Sequence, residues 1–161
     1  MNDLKFAIGM EIDVEKYYRE QAEINKNNSL RTVCLMLAEE EKKHAQILRD
    51  KMSELPSIFT DSDILSKAKS IFRGIADIKM EWKEKPSQLD FYRIATAKEK
   101  QSIDLYSEFL LKADGDQEKE LLEYLIKQEE QHFAILDELA SMLRHAEEWI
   151  ESAEFGVRKE Y

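Results

Sequence analysis

Apolar residues return along the chain at steps of three and four, the pattern of helices that each bury one face. From Leu4 to about Ile24, the positions Leu4, Ile8, Ile12, Tyr18 and Ala22 trace one such stripe. The run Asn25-Lys26-Asn27-Asn28-Ser29 is poor in helix formers and rich in capping residues. It predicts a turn, with Asn28 or Ser29 capping a second helix. That helix is expected from Leu30 to about Leu55, where Pro56 stops it.

Residues 56–86 form a long crossover that is itself expected to be helical. Thr60-Asp61-Ser62-Asp63 can cap a helix whose apolar positions include Ile64, Ala68, Ile71, Ile75 and Ile78. Pro86-Ser87 opens a third long helix that runs to about Ala113. Asp114-Gly115-Asp116 then offers a C-terminal glycine and a new N-cap, and a fourth helix follows to about His145 or beyond. The predicted fold is all-α: one domain over residues 1–161, with hairpin one at 3–55, hairpin two at 87–146 and a C-terminal tail at 147–161. The tail carries Trp149, Ile150 and Phe155, which need burial on the bundle or against another subunit.

The two hairpins share more than their shape. Glu11, Tyr18, Glu41 and His44 recur as Glu99, Tyr106, Glu129 and His132, every member displaced by 88 residues. Only three histidines exist in the chain, and two of them fall in this register. The midpoint of Glu11 and Glu41 is residue 26, inside the Asn-rich turn, and that of Glu99 and Glu129 is residue 114, beside Gly115. Each pair should therefore sit level across its hairpin, about 22 Å from the turn. Glu41 and His44 are three apart, as are Glu129 and His132, so each pair leaves one helix face together and can grip one ion.

This is the ligand pattern of ferritin-like di-metal bundles, in which two helices give one Glu each and the other two give Glu-x-x-His. Glu39, Glu40 and Glu130 lie beside the candidate ligands, and Glu40 is one turn before His44. The repeat separates them, because Glu40 matches Gln128 whereas Glu41 matches Glu129. The expected metal ligands are thus Glu11, Glu41, His44, Glu99, Glu129 and His132. Mixed carboxylate and imidazole donors suit iron, with manganese or zinc as alternatives, while structural zinc favours thiolates. Four glutamates bring a charge that two divalent ions cancel. Without ions, each unpaired buried charge costs roughly several kcal/mol. Tyr18 and Tyr106 lie two turns past Glu11 and Glu99 on the same face, where their hydroxyls can hydrogen-bond the ligand carboxylates. His145 has Met142 and not Glu three residues before it, and is left out of the site.

Met10-Glu11 through Tyr17-Tyr18, Glu39-Glu40-Glu41-Lys42-Lys43-His44-Ala45, Glu99 through Tyr106, and Glu129-Glu130-Gln131-His132 together resemble the rubrerythrin-type di-iron domain over roughly residues 3–145. The resemblance implies a ferritin-like bundle, two non-haem iron ions, reaction with hydrogen peroxide or oxygen, and a homodimer. Full-length rubrerythrins add a rubredoxin domain with Cys-x-x-Cys pairs, and Cys34 is the only cysteine in this sequence. The resemblance therefore implies an external electron donor such as a rubredoxin-like protein. Rubrerythrins also carry an extra glutamate one turn past the third-helix ligand, where this chain has Ser102, with Val14 at the matching place in the first half.

Charge and composition narrow the partners. A formal charge of -10 disfavours nucleic acid and anionic membranes, which bind clustered Lys and Arg. No apolar run reaches the length of a membrane span, and the N-terminus lacks the basic start of a signal peptide, so the cytoplasm is the expected compartment. A lone cysteine forms no disulfide within one chain, and Cys34 reads as a small buried apolar residue. The functional expectation is a di-iron oxidoreductase that reduces peroxide or oxygen. The alternatives are an iron-binding or storage protein of ferritin type and a helical interaction module whose metals fix the fold.

Overall fold

The computed structural model describes residues 2–73 and 85–159, with the side chains of residues 3–73 and 89–142. Among the described residues there are five helices and no strand: α1 (Asn2–Ile24), α2 (Leu30–Met52), α3 (Ile64–Arg73), α4 (Lys85–Lys112) and α5 (Asp116–Lys159). The α1–α2 and α4–α5 pairs are the two hairpins of an antiparallel four-helix bundle, and α3 belongs to the crossover. The fourth predicted helix is longer than expected, because α5 continues as helix to Lys159 through the segment read as a tail. The environments of Trp149, Ile150 and Phe155, and of His145, Ile75 and Ile78, lie outside the described side chains.

Local chemistry sets the helix ends. At the first turn, Asn25 is buried and its Nδ2 donates to the Gln21 carbonyl at 2.8 Å, while Asn28 Nδ2 donates to Asn25 Oδ1 at 3.1 Å. Ser29 holds the N-cap position of α2 without a side-chain cap bond, and the preceding Asn28 supplies one, its Oδ1 accepting from the Leu30 N–H at 2.9 Å. The second helix ends three residues earlier than Leu55. Glu54 takes a positive φ of 57°, the Leu55 N–H bonds the Asp50 carbonyl at 2.7 Å and the Glu54 N–H bonds that of Lys51 at 3.1 Å. This is a Schellman closure with a glutamate where glycine is usual. Conversely, Gly115 is not in the left-handed region. It serves the next helix instead, its carbonyl accepting from the Lys119 N–H at 3.0 Å.

The buried stripe of α1 is Ala7, Glu11, Val14, Tyr18 and Ala22. Ile12, expected inside, is 41% exposed. The interior face follows the carboxylate at Glu11, and hydrophobicity alone places it wrongly. Two apolar clusters fill the bundle. One holds Tyr18, Leu37, Phe91, Ile135 and Leu139 together with Ile64, Ala68 and Phe72 of the crossover helix. The other holds Ala7, Leu48, Tyr106, Leu122 and Leu125. Between them in sequence register lies one polar layer, the four glutamates and two histidines.

The crossover is tied to the bundle beside that layer. Ser62 Oγ accepts from the Ile64 N–H at 3.2 Å, capping α3, and its own hydroxyl donates to Glu40. Glu40, the carboxylate that the repeat left unmatched, thus anchors the crossover. From there α3 packs on α5 and α2, leaving the outer α1/α4 side uncovered among the described residues. No helix of the described residues is long and apolar enough to cross a membrane.

Candidate metal centre

Helical period brings the six residues together. Glu11 on α1, Glu41 and His44 on α2, Glu99 on α4, and Glu129 and His132 on α5 are each at most 1% exposed. They fall into two overlapping groups whose ligand atoms lie within 4.8 Å of one another: Glu11, Glu41, His44 and Glu129, and Glu41, Glu99, Glu129 and His132. Spacing along one helix suggested that each Glu-x-x-His pair serves its own ion. In three dimensions Glu41 and Glu129 belong to both groups, and each histidine reaches across to the other hairpin.

His44 Nδ1 is 2.8 Å from Glu129 Oε1 but 3.6 Å from Glu41 Oε2. His132 Nδ1 is 2.9 Å from Glu41 Oε1 and 3.4 Å from Glu129 Oε2. The two imidazoles stack with centroids 5.6 Å apart and planes 11° from parallel. Both therefore turn Nδ1 toward the acids.

The tyrosines cross over as well. Tyr18 of α1 donates to Glu99 Oε1 on α4 at 2.5 Å, and Tyr106 of α4 donates to Glu11 on α1. Their side chains lean back toward the N-terminus of their own helices, as helical side chains do, which brings hydroxyls two turns away to the level of the carboxylates. The sequence pointed to carboxylate partners; the exchange between halves follows from α1 and α4 running antiparallel.

Electrostatics in this layer are strongly coupled. Burial would depress the His44 imidazole, but the charge of Glu129 and hydrogen bonds to Glu11, Glu129 and Glu41 win and hold it well above its usual value. His132 is raised in the same way, against burial, by Glu99, Glu129 and Glu41. Burial and then the charges of Glu11, Glu129 and Glu99 push Glu41 well up, and burial with Glu129 pushes Glu99 up to about 7. Glu11 moves the other way, since hydrogen bonds to Glu41 and His44 outweigh its burial. Glu129 also falls despite burial and the charge of Glu11, through bonds to Glu99 and His132 and the charge of His44. Tyr18 and Tyr106 are driven far up by burial and by the adjacent carboxylates.

With all four carboxyls ionised, this cluster is short of donors. One oxygen of each of the four glutamates, Oε2 of Glu11, Glu41, Glu99 and Glu129, is buried without a hydrogen-bond partner. Buried polar atoms are normally paired, so four orphaned carboxylate oxygens in one layer fit a group of cations. A family model described as Rubrerythrin matches residues 2–140. The chain belongs to the rubrerythrin family. No curated protein and no solved structure matches it. Within this rubrerythrin-family bundle the buried carboxylate and imidazole cluster is of a composition that can hold metal.

The neighbouring acids do other work. Glu39 binds Arg19 Nη2 at 2.9 Å on the surface, Glu130 is exposed, and Glu40 holds Ser62. Ser102, where rubrerythrins carry a glutamate, is 1% exposed, and its one hydroxyl proton has two alternative acceptors, the Lys98 carbonyl at 3.3 Å and Met10 Sδ at 3.7 Å. Val14, its counterpart, packs in the apolar cluster. Gln128, the counterpart of Glu40, is also fully buried, a position that the sequence reading had used only as a mismatch. Cys34 is buried and its thiol is pushed up to about 12 by burial.

Proposed function

We propose that this cluster holds two metal ions, iron by the chemistry of its donors, and that the chain is an oxidoreductase reducing hydrogen peroxide or oxygen with electrons from a separate donor. The observation that carries the reading is the pair of overlapping four-residue groups, fully buried, with an unpartnered oxygen on every glutamate. Glu41 and Glu129 belong to both groups and would serve both ions. Glu11 with His44, and Glu99 with His132, would complete the two ends. Two ferrous ions held there would supply one electron each, enough with two protons to take peroxide to two waters or oxygen to peroxide, and Lewis acidity at the oxygen being reduced.

The remaining work belongs to the chain. Tyr18 and Tyr106 fix the orientation of the terminal carboxylates and keep one lone pair of each occupied. The apolar clusters above and below the layer keep bulk water from the ligands, so charge interactions within it are strong. In this reading a rubredoxin-like protein donates the electrons, and the lone buried Cys34 takes no part.

The test begins with metal analysis of protein purified without air, where about two iron ions per chain are expected. The ferrous protein is then mixed with peroxide in a stopped flow. Reoxidation should be at least about a hundredfold faster than that of ferrous iron free in buffer, and in a Glu41→Ala/Glu129→Ala variant it should fall to the free-iron rate. A wild-type rate equal to that of free iron would overturn the redox assignment while leaving metal binding intact.

A further inference from the structure

α1 and α4 pack far less closely on one another than the helices within each hairpin do. Between them runs a groove of about 690 Å³, the size of a small-molecule site. Its deeper walls are apolar, with Met10 and Val14 from α1 and Leu105 from α4, and the exposed ring of Phe6 stands at its edge. The depth of the groove lies against the ligand layer. Met10 directly precedes Glu11, and Val14 stands one turn after that glutamate. Ser102, buried and with Met10 Sδ as one of its two acceptors at 3.7 Å, stands one turn after Glu99. Side chains one turn apart on a helix are neighbours, so the groove abuts the layer from both helices at once.

We propose that this groove receives neutral organic hydroperoxides, molecules in which a hydrocarbon group carries the O–O bond. The inference rests on the peroxide reduction proposed above and names a substrate class for it. Hydrogen peroxide is hydrogen-bonded on all sides in water and gains little from apolar walls, whereas a hydrocarbon group gains with the area it buries. Ser102, in place of a glutamate, removes charge and length from behind the wall. Met10 is unbranched and adaptable, the side chain of the wall best able to yield to an entering peroxide group. Around the groove Lys5 and Lys98 are outnumbered by Asp13, Asp104 and Glu108. That balance of charge disfavours a carboxylate tail and leaves a neutral one as the occupant.

The reaction balances with the electrons already invoked. The O–O bond breaks as the hydroperoxide takes one electron from each of two ferrous ions and two protons from solvent. The oxygen on carbon leaves as the alcohol, and the terminal oxygen leaves as water.

Two measurements on the full chain test the assignment. In chelator, protein labelled at its methionine methyls is titrated with 2-phenyl-2-propanol, the alcohol that cumene hydroperoxide leaves. The Met10 resonance, identified by its loss in Met10→Leu, should shift and saturate, and those of Met36 and Met52 should stay in place. The ferrous protein is then mixed with cumene hydroperoxide or with hydrogen peroxide in a stopped flow. The ratio of the first rate to the second should exceed that for free ferrous iron about tenfold or more, as an apolar pocket discriminates. Gly9 borders the groove, and a Cβ added to it meets nothing within 4 Å. Gly9→Trp should therefore keep the helical circular dichroism, fill the groove, return the ratio to the free-iron value and abolish the Met10 shift. No saturable shift at Met10, a wild-type ratio equal to that of free iron, or a ratio unchanged in Gly9→Trp would each overturn the proposal. Hydrogen peroxide alone outrunning free iron would remove only the organic substrate class, whereas neither peroxide outrunning it would remove the redox reading as well.

Discussion

A single hydroxyl shows how much each residue of the ligand layer is asked to do. Tyr18 and Tyr106 are fully buried, and each gives its only proton to a carboxylate of the other hairpin. Tyr18→Phe removes that hydroxyl and keeps the ring, so Glu99 gains a second orphaned oxygen and a free rotor. Affinity for one of the two ions should fall about tenfold, as groups that orient metal ligands usually contribute. Titration against a competing chelator measures it, and equal loss at both ions would argue against the cross-hairpin pairing. The six acids and imidazoles were legible in the sequence because duplication repeats them in register and because helical period is rigid. Ile12 was not legible: on α1 the interior is marked by Glu11, so an apolar residue beside a buried acid is turned outward. The role of Glu40 was equally hidden, since a carboxylate bound to Ser62 and one facing a ligand cluster look alike in a run of three glutamates.

Helix ends and the crossover set the next scale. The turns fell where symmetry required, between Ile24 and Leu30 and between Lys112 and Asp116, because level ligands fix the midpoint of each hairpin. The manner of closure was not readable. Gly115 invited a left-handed cap and Glu54 did not, yet the positive φ is at Glu54, because the chain has to turn out of α2 before Pro56 and no glycine stands there. A non-glycine residue in that region is strained, so Glu54→Gly should stabilise the fold by about 0.5–1 kcal/mol and raise the unfolding midpoint by about 1–3 °C. A lowered midpoint would mean that the Glu54 side chain contributes more than its backbone costs. The Glu40 to Ser62 bond makes a second prediction at this scale. Ser62→Ala loses both the α3 cap and the half-buried hydrogen bond to Glu40, and should speed amide exchange in α3 while leaving α4 unchanged.

For the molecule as a whole, the buried acid and imidazole layer couples folding to protons and, on the proposed function, to metal. In the metal-free chain His44, His132, Glu41 and Glu99 all bind protons more tightly than in the unfolded chain, with Glu99 moved from 4.5 to about 7. Between pH 4.5 and 7 the folded state thus holds more protons than the unfolded one, and stability must fall as pH rises through that window. Glu11 and Glu129 are lowered, so their contribution is lost only on acidification below the usual carboxylate range. Divalent ions, bound as proposed, should reverse the slope. Each ion would displace protons from the groups that held them, so loading should release about four protons per pair of ions and be favoured as pH rises. Thermal unfolding from pH 5.5 to 8 should therefore show opposite trends: a midpoint that falls with pH in chelator and climbs with pH in excess metal. At pH 8 the gap between the two curves should be widest, since there the acids are least able to keep their protons and the ions are bound most firmly. Parallel curves would show that the buried acids are neutralised by something other than the metal, and the account of why this layer tolerates four carboxylates would have to be rebuilt.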